Sequence, residues 1–252
     1  MSRRAARSSG FSLIEVIVVI AVISILASMA VPYAVQVIDQ SRTDATRKEM
    51  EAIQKAILGD PALGTAGFVG DMGRLPTNLG QLNTTLPGQS TGTLGVKMGW
   101  WGPYINTGFD AQGYLNDAWG TPYRYPSPGA GQLTSDGPDR NPGGGDDIVY
   151  PPSAVDIRGS LLVNLHAWDS TSSVYVPCPS ATVTFYYSNN GIEVPVPLGA
   201  PPYTFSGAPI RSGLHAVRAT CTPSLGASLV TGGAVVFVPG NNQQAKLDLY
   251  LR

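Results

Sequence analysis

The sequence predicts an α+β protein in which a long N-terminal helix packs on a small, loop-rich β domain, followed by an all-β sandwich. Three observations predict it. An apolar run over residues 11–32 passes directly into an amphipathic pattern that stops at Gly59-Asp60-Pro61. Residues 59–150 are rich in Gly, Pro, Asn and Asp with few long apolar runs, and residues 151–252 break into short alternating segments. Composition agrees, because 30 Gly and 21 Pro with only 13% charged residues suit loop-rich domains rather than a helical bundle.

The helix is read from periodicity. After Tyr33, the residues Val35, Ile38, Ala45, Met50, Ile53 and Ile57 recur at roughly helical spacing among charged neighbours. Gly59-Asp60-Pro61 is a stop signal. The helix over 11–58 is therefore about 70 Å long at ~1.5 Å per residue.

Three readings compete for the N-terminus: a cleaved secretory signal, a permanent anchor, and a short leader removed ahead of the apolar run. A secretory signal has a basic start, a short apolar run and a small-x-small cut site. Ser28-Met29-Ala30 supplies such a site, but the run is too long and carries Glu15. Arg3-Arg4 hints at a twin-arginine signal, which Ala5-Ala6-Arg7 fits poorly. A plain anchor has the right length, about 20 apolar residues, and the Arg cluster places the N-terminus in the cytoplasm. It gives no role to Glu15, whose carboxylate is costly in hydrocarbon unless paired. A cut after Gly10 creates an amine on Phe11, and that amine on a neighbouring copy gives Glu15 an ionic partner.

This segment resembles the N-terminus of type IV pilins and type II secretion pseudopilins: a short basic leader, Gly10, then Phe11-Ser12-Leu13-Ile14-Glu15-Val16. The resemblance implies the pilin fold, cleavage by a prepilin peptidase between Gly10 and Phe11, N-methylation of Phe11, and assembly guided by Glu15. It also implies that residues 1–10 are a leader and that 11–32 form the membrane span and filament core. Pro32 stands where this family has a helix-bending proline, and it removes one helical hydrogen bond.

The middle of the chain, residues 59–150, has trouble burying enough apolar surface to offset the entropy of ordering it, so it should lean on the helix and on local staples. The first staple is residues 99–128, where Trp100, Trp101, Tyr104, Tyr114, Trp119, Tyr123 and Tyr125 crowd between turn residues. An aromatic mini-core is expected in preference to a sugar-stacking platform, with Asp117-Ala118-Trp119-Gly120-Thr121-Pro122-Tyr123-Arg124-Tyr125 alternating as a strand leaving a turn would. That stretch, Gly102-Pro103-Tyr104-Ile105 and residues 74–82 resemble segments of the major pseudopilin, with Ala118 in place of a usual Pro.

The second staple is residues 135–150, where Asp136, Asp139, Asp146 and Asp147 lie among four glycines. Such a set offers hard-oxygen, calcium-type chemistry, which needs six to eight oxygen ligands at about 2.3–2.6 Å. Composition alone leaves a solvated acidic turn as the alternative, and EF-hand spacing is absent. Ser135-Asp136-Gly137-Pro138-Asp139, Pro142-Gly143 and Asp146-Asp147-Ile148 resemble the calcium loop of the type II major pseudopilin. The resemblance implies that Asp139, Asp146 and Asp147 donate carboxylates and backbone carbonyls complete the shell. Gly145 replaces a common acidic residue there, and Asp136 a usual apolar one.

Pro151-Pro152 marks the expected boundary of the last domain. Seven alternating runs in the following hundred residues predict a sandwich. Tyr203-Thr204-Phe205, Ile210 and Gly213-Leu214-His215-Ala216-Val217 resemble the transthyretin-like, carboxypeptidase-regulatory type of domain. Cys178 and Cys221 are the only cysteines. In an exported chain two lone thiols generally pair, the alternative being two unpaired buried thiols, since no ligand sits near either at metal-site spacing. His166 and His215 are expected on strand surfaces.

The formal net charge is −1, and without Arg3, Arg4 and Arg7 the Lys+Arg count falls from 16 to 13 against 17 acids, giving −4. No basic stripe is left for nucleic acid. No zincin or phosphate-loop motif occurs, and no enzyme is expected. The sequence points to a structural subunit of a pilus or pseudopilus filament, held in the inner membrane before assembly, with its sandwich on the filament surface and its globular part in the periplasm or outside the cell. Its implied partners are copies of itself, prepilin peptidase, an inner-membrane assembly platform and the membrane. The alternative is a membrane-anchored adhesin that binds carbohydrate or protein.

Overall fold

A computed structural model describes residues 12–60, 62–106, 112–127, 129–178, 180–198, 200–206, 210–224 and 227–252. Gly10 and Phe11, the expected processing site, lie outside the described residues. The chain divides into two compact units, Met1–Ala45 and Thr46–Arg252.

Helix α1 (Leu13–Leu58) belongs to both. Over its first unit the large apolar side chains are exposed, Leu13 at 78% and Met29 at 75%. Two serine hydroxyls in this run are satisfied internally: Ser24 Oγ donates to the Ile20 carbonyl at 2.7 Å, and Ser28 Oγ to that of Ile25 at 2.7 Å. Such back-bonding lets a hydroxyl sit in an apolar surrounding. The helix runs through Pro32, whose missing N–H leaves the Ser28 carbonyl without its helical donor.

In the second unit the helix turns one stripe inward. Thr46, Met50, Ile53 and Ile57 are fully buried, at spacings of four, three and four residues. They pack with Phe68, Val69, Leu82, Trp100, Tyr114 and Leu133 into the core of a small body. Gly59 ends the helix, its N–H bonded to the Lys55 carbonyl at 2.8 Å. Its φ is +83°, and a Cβ there would lie 2.3 Å from the Thr65 carbonyl oxygen, so only glycine fits.

The rest of the body is short elements: α2 (Gly67–Met72), β1 (Ser90–Thr91) paired with β2 (Lys97–Met98), and β3 (Leu133–Ser135) paired with β4 (Ile148–Tyr150). Trp100, Tyr114, Trp119 and Tyr123 are buried, as the aromatic mini-core requires. The strand expected after Asp117 does not form. Only isolated bridges join Asn116 to Pro122 and Arg124 to Thr134, because Pro122 and Pro126 have no N–H to donate to a ladder.

The sandwich contains β5 (Ser160–Asp169), β6 (Val174–Pro177), β7 (Thr182–Asn189), β8 (Ile192–Leu198), β9 (Tyr203–Phe205), β10 (Gly213–Cys221), β11 (Val230–Val238) and β12 (Gln244–Leu251). One sheet has the order β11-β10-β7-β8. The other has β12-β5-β6, with β9 also on β5. All pairings are antiparallel except β12 with β5, which is parallel. Leu161, Val163 and Leu251 from one sheet meet Val183, Phe185 and Val217 from the other. Cys178, just after β6, is bonded to Cys221 at the end of β10, so the disulfide ties one sheet to the other.

His166 is on the surface, stacked on Tyr250 at 4.8 Å. The expectation for His215 is corrected: it is 1% exposed, and Nε2 donates to the Arg211 carbonyl at 2.7 Å. It shares the parity of Val217, Ala219 and Cys221, which fill the core, so the two-residue period of the strand turns it inward.

The junction between body and sandwich is closely fitted. α2 lies against β10 and β7. A Cβ on Gly213 would lie 2.3 Å from the Cα of Gly70. Ser188 Oγ donates to the Asp71 carbonyl at 2.6 Å, and Thr93 N–H to Glu193 Oε1 at 2.6 Å. The segment after Pro151-Pro152 is held on both sides: Val155 N–H bonds the Ala130 carbonyl at 2.8 Å, and Asn241 N–H bonds that of Asp156 at 2.6 Å.

Candidate functional site

Three groups of polar side chains stand out. The first is Glu15, in the first turn of α1, where the helix dipole favours an anion. It is exposed, and it is the only charged residue from Phe11 to Ile38. Phe11, its expected partner on a neighbouring copy, lies outside the described residues.

The second is the acidic loop between β3 and β4. Arg124, which the sequence reading did not single out, joins its two ends: Nε donates to Asp136 Oδ1 at 2.7 Å and Nη2 to Asp147 Oδ2 at 2.9 Å. Its position opposite β3, through the Arg124–Thr134 bridge, is a tertiary fact with no local signal. Gly143 N–H also donates to Asp147 Oδ2 at 3.0 Å, whereas Asp147 Oδ1 is buried without a hydrogen-bond partner. Asp139 N–H donates to Asp146 Oδ2 at 3.2 Å, and Asn141 N–H to Asp139 Oδ1 at 2.8 Å.

Asp146 Oδ1 and Asp139 Oδ2 crowd Gly144 together; a Cβ there would lie 2.3 and 3.2 Å from them. Two carboxylates thus converge over a glycine and a third has a free buried oxygen. All of these donors are oxygens, the ligand type a hard cation takes, and Asp136 is engaged by Arg124. Among the described residues no three ligating side chains gather at one point.

The third group pairs tyrosines with acids in the body. Tyr123 OH donates to Glu49 at 2.9 Å, and Tyr104 OH to Asp71 Oδ2 at 2.8 Å. Burial pushes Glu49 above the usual carboxylate range and Asp71 up to about 6, with the tyrosine hydrogen bonds opposing the shift. Burial raises both tyrosines as well. Neither acid was singled out from sequence, since nothing local marks them as buried. On the sandwich, burial lowers His215 to about 4.

Beyond these, the outer face of the β12-β5-β6 sheet carries Tyr250, Tyr175, His166 and Trp168 in contact, with the Arg252 guanidinium 5.6 Å over Trp168.

A long apolar N-terminal helix that ends as the core of a small, loop-rich body is the architecture of pilin-like subunits. Comparison with known proteins agrees. The prokaryotic N-terminal methylation motif matches residues 5–31, and the type II secretion system protein G model matches residues 34–150. The type II secretion system core protein G of Xanthomonas campestris pv. campestris is 31% identical over 151 residues, 58% of this chain and 91% of the relative. That of Pseudomonas aeruginosa is 30% identical over 154 residues, 58% of this chain and 94% of the relative. No solved structure matches the chain significantly. The chain belongs to the type II secretion system protein G family of pseudopilins, which are structural proteins rather than enzymes. The family model ends at residue 150, just before the segment that leads into the sandwich.

Proposed function

We propose that this chain is a structural subunit of the type II secretion pseudopilus, inserted in the inner membrane by residues 11–32, cut by prepilin peptidase between Gly10 and Phe11, and assembled through its N-terminal helix with the aid of a platform in the inner membrane. The observation that carries the reading is the first unit of α1: apolar side chains exposed all round, one acid at Glu15, and serine hydroxyls bonded back to the helix. That surface suits hydrocarbon before assembly and the packed helices of a filament afterwards. Glu15 is then paired with the new amine of a neighbouring copy, which removes the cost of a lone buried carboxylate. The body and sandwich stay in the periplasm, with the sandwich on the filament surface. Electron microscopy of the purified, processed protein tests this: regular filaments are expected, and dispersed single subunits under assembly conditions would contradict it.

The loop over 135–150 binds calcium in this reading. Asp139, Asp146 and Asp147 supply carboxylates, and Asp136 holds Arg124 across the loop mouth. The ion supplies the positive charge that lets these carboxylates approach. Chelation should lower the melting temperature; an unchanged transition would count against a structural ion.

A second reading, an anchored adhesin, is favoured only by the exposed aromatic cluster of Tyr250, Tyr175, His166 and Trp168. It calls for an unprocessed N-terminus.

A further inference from the structure

We propose that the cleft between the body and the sandwich is a receptor for a lysine side chain of a partner polypeptide, with Asp71 as its counter-ion. Asp71 is 4% exposed, and its two oxygens are treated differently by the fold. Oδ2 accepts the Tyr104 hydroxyl at 2.8 Å, while Oδ1 is buried with no hydrogen-bond partner. An unsatisfied buried carboxylate oxygen is costly, and a fold without a use for it would gain by replacing it.

Asp71 lines a cavity of about 670 Å³ whose walls come from both regions: Val96 and Trp101 from the body, Leu214 and Val235 from the sandwich. That volume is in the range of ligand sites, about 300–1,000 Å³. Of the two lysines lining the cavity, Lys97 favours the ionised Asp71 through its charge, and neither makes an ion pair with it. Lys97 Nζ lies over the Trp101 ring at 5.1 Å rather than in an ion pair with Asp71, and Lys55 is paired with Glu51 at 3.0 Å.

The chemistry of the occupant follows from charge and shape. A carboxylate reached past apolar walls calls for a compact cation on an apolar stem, which a lysine side chain provides. Leu63, Leu94 and Val235 line the same cleft and are 76%, 41% and 44% exposed. Three exposed aliphatic side chains around one cavity offer contact area to the residues flanking that lysine, which a free amine would leave uncovered. Asp71 is ionised at neutral pH, so the anion is present.

Calorimetric titration of the full chain in detergent tests the proposal, using acetyl-Leu-Lys-Leu-amide and its norleucine counterpart. The lysine peptide should bind at least about tenfold more tightly, the scale of one charge-assisted hydrogen bond. Asp71→Asn should erase that preference without weakening the norleucine peptide. Lowering the pH from 7 to 5 on the wild-type chain should cut the preference about tenfold as Asp71 protonates, a check that needs no variant. The other titratable groups lining the cleft are Tyr104, Lys97, Lys55 and Asp60; Tyr104 is raised by burial and Lys55 by its hydrogen bond to Glu51, both away from the pH 5–7 window.

Equal binding of the two peptides, no binding of either, or an unchanged preference in Asp71→Asn would overturn the proposal. So would n-butylamine binding as tightly as the lysine peptide, which would make the site a small-amine pocket. Self-association of the chain that Asp71→Asn abolishes would assign the cleft to a second copy, and would overturn it too. None of these outcomes depends on whether filaments form.

Discussion

The body and the sandwich solve the same problem, too little apolar surface for the chain to be ordered, by different means. The body borrows one stripe of α1 and fills the space with aromatic rings, three of whose hydroxyls end on acids or carbonyls: Tyr123 on Glu49, Tyr104 on Asp71, and Tyr114 on the Leu79 carbonyl at 3.2 Å. The sandwich has its own aliphatic core between two sheets, and closes it with a disulfide. Aromatic side chains bury much area but bring polar tips that need partners, so the body carries buried ionisable groups that the sandwich largely avoids. His215 and Asp169 are the exceptions.

The largest expected difference concerns the disulfide. Closing a loop of 43 residues contributes about 4 kcal/mol in the entropy model. Cys178→Ser with Cys221→Ser should lower the unfolding free energy by that order. Hydrogen exchange should report the loss in β7 and β10 more than in α2, and uniform loss would mean the two regions unfold as one.

The second difference is in the sign of pH dependence. His215, lowered to about 4 against 6.5, is neutral in both states above pH 6.5. As pH falls toward 4 the unfolded chain takes up the proton first, so stability is lost over that window, about 3 kcal/mol at full extent. Asp71, raised to about 6 against 3.8, is protonated in both states at low pH. As pH rises through 6 the native state must ionise a buried group, and stability is lost in the opposite direction. Asp71→Asn should therefore stabilise the chain above pH 6, by about 1–3 kcal/mol. His215→Gln should flatten the acid limb between pH 6.5 and 4. Both are read from chemical denaturation at several pH values.

A smaller effect is expected at Tyr123→Phe. Removing its hydroxyl leaves Glu49 half-buried without that donor and should cost about 1–2 kcal/mol. Glu49→Gln should cost less, because the tyrosine keeps an acceptor and the raised carboxylate is gone.

The helix, the aromatic core of the body and the all-β character of the last hundred residues were legible in the sequence because each rests on local period or composition. The pairing of Cys178 with Cys221 needed only the count of two. What escaped is tertiary. β6 is four residues long and flanked by turns, too short to carry a period. His215 was misplaced because one imidazole outweighed the parity it shares with Val217 and Ala219. Arg124 reaches Asp136 and Asp147 only after β3 and β4 pair. The close approach of Gly70 and Gly213 joins residues 143 positions apart, and that junction creates the cleft around Asp71.

The central claim is that α1 is an assembling helix rather than a plain anchor, and Glu15 separates the two. Glu15→Ala should leave membrane insertion intact and impair assembly. The most direct test comes one step earlier, in the mass of the native N-terminus. The account predicts a chain beginning at N-methylated Phe11; an intact Met1 on the mature protein would contradict it.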